Sequence, residues 1–451
     1  MIEEIGNLPG YELLDSGLFS FAGGFAGGGS KGALKGASES KRLDEVKSVS
    51  AAPGAVSNSA SKKFDSVQDA DAEGYRLERF GDFILARPDP AAIWEKELPQ
   101  SEWEKADAFF ARAKNAANFA PEVSASNGAA SDATKGKWIL KREIPEQWLL
   151  HFLTGTPLEI SFYARLAPFK HTGIFPEQSA NWNFIVEQAK RIESRKQMAR
   201  QNFAEDSLEN SLEDSSKNAS ENPLKNSAQN SAKNSSENPS KTSFENFKVL
   251  SLFGYTGIAS ALCAKIGWEV THVDASRPSI SWAKENMLAS GLPGDSIRWI
   301  LEDALKFVKR EARRGAKYNA FILDPPAFGR GAKGEVWKFN EDLPKLMFAL
   351  REISAPPEEF EFAIVNAYAV SAPSLLLKNL LDDFARGIGL EVGADQSTIS
   401  NHNAAFLDTA ALANTVEAKK AVIDYGELIL RQSSNPKRLL STGNFGRLYT
   451  H

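Results

Sequence analysis

Residues 248–274 run Lys-Val-Leu-Ser-Leu-Phe-Gly-Tyr-Thr-Gly-Ile-Ala-Ser into a short helical stretch and on to Glu-Val-Thr-His-Val-Asp. The pattern is strand, two-glycine turn, helix, second strand with an acidic end, the unit that builds a nucleotide-type cofactor pocket. Gly254 and Gly257 are expected to let the backbone approach a ligand at the end of the first strand. Asp274 closes the second strand, where a carboxylate can accept both hydroxyls of a ribose. A third strand ends in Glu302-Asp303-Ala304 and a fourth in Asp324-Pro325-Pro326-Ala327-Phe328. Four strand ends of this kind in order point to the pocket of a methyl donor. A dinucleotide site would need Gly-x-Gly-x-x-Gly, and the spacing here is Gly254-x-x-Gly257, which disfavours hydride transfer.

The chain has 451 residues, 42% of them hydrophobic and 25% charged, enough for two or three folded units. A net charge of −5 gives no overall basic field, so contact with nucleic acid would need a local patch. The single cysteine, Cys263, excludes an internal disulfide framework and a multi-cysteine zinc site. It favours a reducing, cytoplasmic setting. Acids at Glu3 and Glu4 and the lack of a long apolar run argue against secretion or membrane insertion.

Segments 18–73 and 204–243 read as disordered insertions, the first rich in Gly, Ala, Ser and Lys, the second a Ser/Asn/Glu/Lys tract. Residues 10–17 look like a strand entering a turn and 74–80 like its return, so the first insertion expands a hairpin tip. Further strand-like runs at 83–87 and 137–141, with Trp94, Trp103, Trp138 and Trp148 as core, make 1–17 and 74–170 a β-rich domain. Residues 171–203 form a connecting segment, in which 178–201 read as an amphipathic helix with apolar Trp182, Ile185, Val186, Ala189 and Ile192. The remaining unit, 244–451, alternates strands near 248–253, 269–275, 297–303, 318–325 and 361–369 with helices, then closes on a hairpin at 427–443.

That alternation resembles the α/β, doubly wound, seven-stranded, Rossmann-like sheet of class I methyltransferases. The Asp324-Pro-Pro-Ala-Phe328 run resembles the Asn/Asp-Pro-Pro-aromatic motif of enzymes that methylate planar nitrogen. Its extra residue, Ala327, and the preceding Thr172-Gly173-Ile174-Phe175-Pro176-Glu177-Gln178 resemble the large-subunit ribosomal RNA methyltransferase family. The resemblance implies an S-adenosylmethionine-dependent methyltransferase with RNA as partner and no metal. It implies that Leu252, Phe253, Gly254, Tyr255 and Gly257 pass under the methionine part of the cofactor. Asp274 and Ala275 then hold its ribose, and Asp303 and Ala304 its adenine, with Phe175, Glu177 and Gln178 as a lid. Asp324 and the Pro325 carbonyl would orient the acceptor while Phe328 stacks on it. Relatives that modify cytosine carry a cysteine after the fifth strand. Here that stretch is Val365-Asn366-Ala367-Tyr368-Ala369, so a nitrogen or oxygen acceptor is expected.

Basic residues divide by position. Lys306, Lys309, Arg310, Arg313, Arg314 and Lys317 lie on a helix leading away from the catalytic edge and read as a solvated face. Arg330, Lys333 and Lys338 follow Phe328 in a loop that also holds Trp337, which nominates the Arg330–Lys338 loop for RNA. His272 reads as core, and His171 adjoins the lid. A protein or small-molecule acceptor, or a binding module without catalysis, keeps the same cofactor motifs.

Overall fold

The computed structural model describes residues 2–4, 8–19, 73–112, 136–218, 247–331, 334–368, 373–393 and 419–450. The 18–73 insertion except its ends, the polar tract from 219 onward and Lys333 lie outside the described residues. In chain order the strands are β1 (Ile2–Glu4), β2 (Tyr11–Phe19), β3 (Glu73–Phe80), β4 (Phe83–Pro88), β5 (Ala108–Arg112), β6 (Gly136–Leu140), β7 (Trp148–Phe152) and β8 (Ile160–Ala164). After them come β9 (Lys248–Leu252), β10 (Glu269–Asp274), β11 (Ile297–Leu301), β12 (Ala320–Leu323), β13 (Phe328–Arg330) and β14 (Val336–Lys338). The last four are β15 (Phe362–Ala367), β16 (Glu391–Val392), β17 (Lys420–Arg431) and β18 (Leu439–Thr450). The helices are α1 (Gln100–Trp103), α2 (Ser179–Asn218), α3 (Ile258–Ile266), α4 (Arg277–Ala289), α5 (Ala304–Arg313), α6 (Phe339–Arg351) and α7 (Ser374–Gly387).

The large sheet orders its strands β1-β17-β18-β15-β12-β9-β10-β11, with β16 also on β17. From β11 through β15 all neighbours are parallel, and β18 is antiparallel to β15 and to β17. Parallel strands covered on both faces are nearly continuous apolar runs, and every residue of β12 and β15 is buried, the polar Asn366 included. Alternation sorts them: Val249, Ile322 and Ile364 enter one core with α2 and α3, while Leu250, Phe321 and Ala363 enter another under α5, α6 and α7. The order reverses between β9 and β12, which opens a crevice at the carboxyl ends of those two strands.

Seven of the nine strands make the expected sheet. The other two, β1 and β16, are three and two residues long, too short to show a periodicity in sequence. Residues 2–4, expected with the N-terminal domain, pair instead with β17, Ile2 opposite Glu427 and Glu4 opposite Ile429.

A second sheet, β2-β3-β4-β5-β6, contains the expected hairpin, its ends Tyr11 and Phe19 opposite Phe80 and Glu73. Trp103 and Trp148 are buried and Trp94 and Trp138 half-buried. Each indole N–H is paired: Trp94 to the Ser16 carbonyl, Trp103 to Asp15, Trp138 to the Ala167 carbonyl and Trp148 to the Phe80 carbonyl. Helix α2 buries Trp182, Ile185, Val186 and Ile192 as its spacing predicts, and runs on to Asn218, beyond the expected end at 201. No helix among the described residues is long and apolar enough to cross a membrane.

Candidate active site

The turn after β9 is held in a left-handed path, with φ of 55° at Phe253, 49° at Tyr255 and 74° at Gly257. A non-glycine residue pays about 1–2 kcal/mol for that conformation, so neighbouring bonds must hold it. They do: the Tyr255 N–H donates to Asp274 Oδ2 at 2.9 Å, and the Gly257 N–H to the Gly254 carbonyl at 2.9 Å. The Ser276 N–H donates to Asp274 Oδ1 at 2.7 Å. Burial raises the Asp274 pKa, and these two backbone bonds draw it back. Each oxygen keeps lone-pair capacity for a ligand.

The glycines also meet a need inside the protein. A Cβ on Gly254 would stand 2.3 Å from His272 Cε1, and one on Gly257 would stand 2.7 Å from the Ala283 Cβ. Both close approaches are to the protein's own core. His272 is fully buried, with Nδ1 3.0 Å from Ser260 Oγ, and burial pushes its pKa down to about 3, so it is neutral.

A helix cap and a strand end bring the remaining acids in. Asp303 caps α5, its Oδ1 accepting from the Lys306 N–H at 2.9 Å. The Asp324 N–H extends the ladder to the Leu252 carbonyl at 3.2 Å. A cavity of about 450 Å³ is lined by Phe253, Tyr255, Asp274, Ala275, Asp303 and Ala304, together with Phe175, Asp324 and Pro325. Gly254, Gly257 and Gln178 line a smaller pocket of about 60 Å³, which shares Phe175, Phe253, Tyr255 and Asp324 with the larger one.

Phe175 spans this space, its ring 5.7 Å from Tyr255 and 5.6 Å from Tyr368. The segment it belongs to is tied down where the Thr256 hydroxyl donates to the Gly173 carbonyl at 2.7 Å. Beside it Glu177 is buried, and burial raises its pKa. His171 lines the cavity too, and burial with the nearby Arg87, Lys170 and Arg76 charges pushes its pKa down to about 3.

Asp324 is the most perturbed acid here. Burial of its carboxyl, then the neighbouring Glu177, push its pKa up to about 7 against a hydrogen bond from Asn366. That Asn366 amide is oriented by others: Asn181 Nδ2 donates to Asn366 Oδ1 at 2.9 Å and to Gln178 Oε1 at 2.8 Å, and Arg447 Nε donates to Asn181 Oδ1 at 2.8 Å. Asp324 Oδ1 and Glu177 Oε2 are buried with no hydrogen bond among the described residues.

Phe328 is not brought into the cavity. The β13–β14 ribbon sets Trp337 opposite Gly329 and Phe328 opposite Lys338, so Trp337 turns inward and Phe328 is left 56% exposed. Trp337 Nε1 donates to the Pro326 carbonyl at 2.7 Å, and its ring packs 4.7 Å from Phe253. Arg330 stands at the cavity rim, whereas Lys338 pairs with Glu341 at 2.9 Å. Arg314, which follows α5, pairs with Glu311 at 3.1 Å, and Arg310 on α5 pairs with Glu302.

Residues that sequence reasoning missed are Asn181, Arg447 and the inward role of Trp337. Asn366 and Tyr368 carried a usable signal, since they follow the fifth strand as Asp324 follows the fourth. Asn181 and Arg447 had none, because each acts through residues far away in the chain.

No protein-family model matches the chain. A stretch of 117 residues is 35% identical to the ribosomal RNA large subunit methyltransferase K/L of Shewanella frigidimarina (strain NCIMB 400), covering 26% of this chain and 16% of that protein. The protein of the same description from Shewanella sp. (strain ANA-3) is 33% identical over 119 residues, covering 26% and 17%. The chain thus spans only about a sixth of the length of these curated relatives. Among solved structures, the SAM-dependent methyltransferase from Agrobacterium tumefaciens superimposes with a TM-score of 0.60 at 26% identity, over 100% of this chain and 93% of that one.

Proposed function

We propose that this chain, which has the class I S-adenosylmethionine-dependent methyltransferase fold, is a cytoplasmic enzyme that methylates RNA, most closely the ribosomal kind. The observation that carries the reading is the convergence of four successive strand ends, at Phe253, Asp274, Asp303 and Asp324, on one cavity. The residues present suit a cationic nucleoside: a buried carboxyl oxygen, Glu177 Oε2, has no partner among the described residues, an ammonium group would satisfy it, and Asp324 Oδ1, also without a partner there, is left for the acceptor. When bound, the cofactor supplies a methyl group already activated on sulfur.

The chain's own residues then bind and orient. In this reading Asp274 holds the ribose hydroxyls and Ala275 packs beside them, Asp303 and Ala304 meet the adenine, and Phe253 to Gly257 with Gln178 and Phe175 enclose the methionine part. Asp324 Oδ1 receives the N–H of an acceptor nitrogen and can take its proton. Arg330 at the rim meets a phosphate or base, and exposed Phe328 offers a stacking face outside the cavity. What supports RNA is the likeness to ribosomal RNA methyltransferases.

Cys263 takes no part. It is buried in α3 and burial pushes its thiol pKa well up, so no thiolate forms there. Cys263→Ala is expected to keep turnover and lose about 1 kcal/mol in denaturant unfolding. Loss of turnover in a folded, cofactor-bound variant would require a covalent route instead.

Calorimetry tests the cofactor site. Asp274→Ala should weaken S-adenosylmethionine binding by on the order of 2–3 kcal/mol, since it removes a carboxylate that accepts two hydroxyls. Labelled methyl transfer into RNA, protein and metabolite fractions tests the acceptor, and label in protein alone would sink the RNA reading.

A further inference from the structure

Tyr368 lies at the end of β15, one step past Ala367, and lines the same cavity as Asp324. Its ring is wedged: a Cβ on Gly443 would stand 2.7 Å from Tyr368 Cε1, Phe175 packs at 5.6 Å, and Ala180, Leu428 and Phe445 lie against it. The side chain cannot swing away. Yet its hydroxyl is buried and completes no hydrogen bond among the described residues. A buried hydroxyl left so costs about 1–3 kcal/mol, which marks it as waiting for a partner.

Gln178 decides which partner. Its Oε1 already accepts from Asn181 Nδ2 at 2.8 Å, so the group it presents to Tyr368 is the amide nitrogen, which can only donate. The phenol oxygen is therefore approached by a donor, and its hydrogen is left for something in the cavity. Burial first, and then the nearby Glu177 and Asp324 charges, keep the phenol protonated, but neither carboxyl accepts from it. Among the described residues that line the cavity, the Tyr368 O–H is thus an unmet donor and Asp324 Oδ1 an unmet acceptor.

We propose that Tyr368 is an acceptor-binding residue that donates to a lone-pair atom beside the nitrogen receiving the methyl group. With Asp324 Oδ1 it selects a planar edge carrying an N–H next to a lone pair, as on a nucleobase, over an alkylamine, which has no such lone pair. This deepens the proposed function and rests on it.

The test uses the full chain, labelled S-adenosylmethionine and RNA from cells lacking the protein. Tyr368→Phe keeps the ring and removes only the hydroxyl. Its kcat/KM for RNA is expected to fall roughly tenfold or more, with cofactor Kd within about twofold and no loss of thermal stability. Digestion of the labelled RNA should place the methyl on a base nitrogen. Unchanged turnover, or cofactor affinity falling in step with turnover, overturns the role of Tyr368, and a methyl on ribose oxygen overturns the edge it is said to read. If the wild type labels protein instead of RNA, the RNA reading fails by itself. The variant is then assayed on that protein, where an undiminished rate or a methylated alkylamine overturns the assignment and a tenfold loss on a planar nitrogen upholds it. Cofactor binding without any labelled acceptor overturns both.

Discussion

Asp324→Asn should lower methyl transfer by roughly a hundredfold or more while leaving the unliganded protein more stable than the wild type above neutral pH. The loss of rate follows from the proposed role of Asp324, since the variant lacks the carboxyl that would hold the acceptor N–H and take its proton. The gain in stability follows from linkage. The folded-state pKa of Asp324 is raised from 3.8 to about 7, chiefly by burial and next by Glu177. Between those values the folded chain keeps a proton that the unfolded chain has released, so this group's contribution to stability falls as pH rises through that window. Above pH 7 the full deficit is present. At 1.36 kcal/mol per unit, discounted for water in the open cavity, it is on the order of 2 kcal/mol. Thermal unfolding without ligand should therefore show variant and wild type alike near pH 4 and the variant ahead at pH 8. A variant equally stable at both pH values would mean that Asp324 is not held as a strained buried acid. The same proton should appear in the rate of the wild type, which is expected to rise with pH toward 7.

Gly254→Ala should destabilise the fold by about 3 kcal/mol or more. The added methyl would stand 2.3 Å from Cε1 and 2.5 Å from Nδ1 of His272. That ring cannot retreat, because it is fully buried, held by Ser260 and packed 4.9 Å from Trp299. The double variant Gly254→Ala, His272→Ala should recover part of the loss, since the second change opens the space the first one needs. Denaturant unfolding of the four proteins of this cycle gives the coupling energy. Strictly additive losses would show that the glycine is required for some reason other than His272.

The two results bear on what a sequence can and cannot say. The alternation of strands and helices from 248 onward, the terminal hairpin and the acids at three strand ends are written in neighbouring residues, through side-chain period and turn composition. The position of Asp274 at the end of the strand-like run Val270-Thr271-His272-Val273 is enough to place it at the carboxyl ends of the strands. Only the tertiary structure could show that a side chain at Gly254 would meet His272, since that contact lies on the next strand. It alone turned Trp337 inward and Phe328 outward, a choice made by ribbon pairing. It alone added residues 2–4 to the edge of the large sheet, more than four hundred positions from their partners. The setting of Asp324 is the clearest case: Asn366 is oriented by Asn181 across 185 positions, and Asn181 by Arg447 across 266. Periodicity reaches one element at a time, and such contacts exist only once separate elements pack, so the acids were legible and the network that tunes them was not.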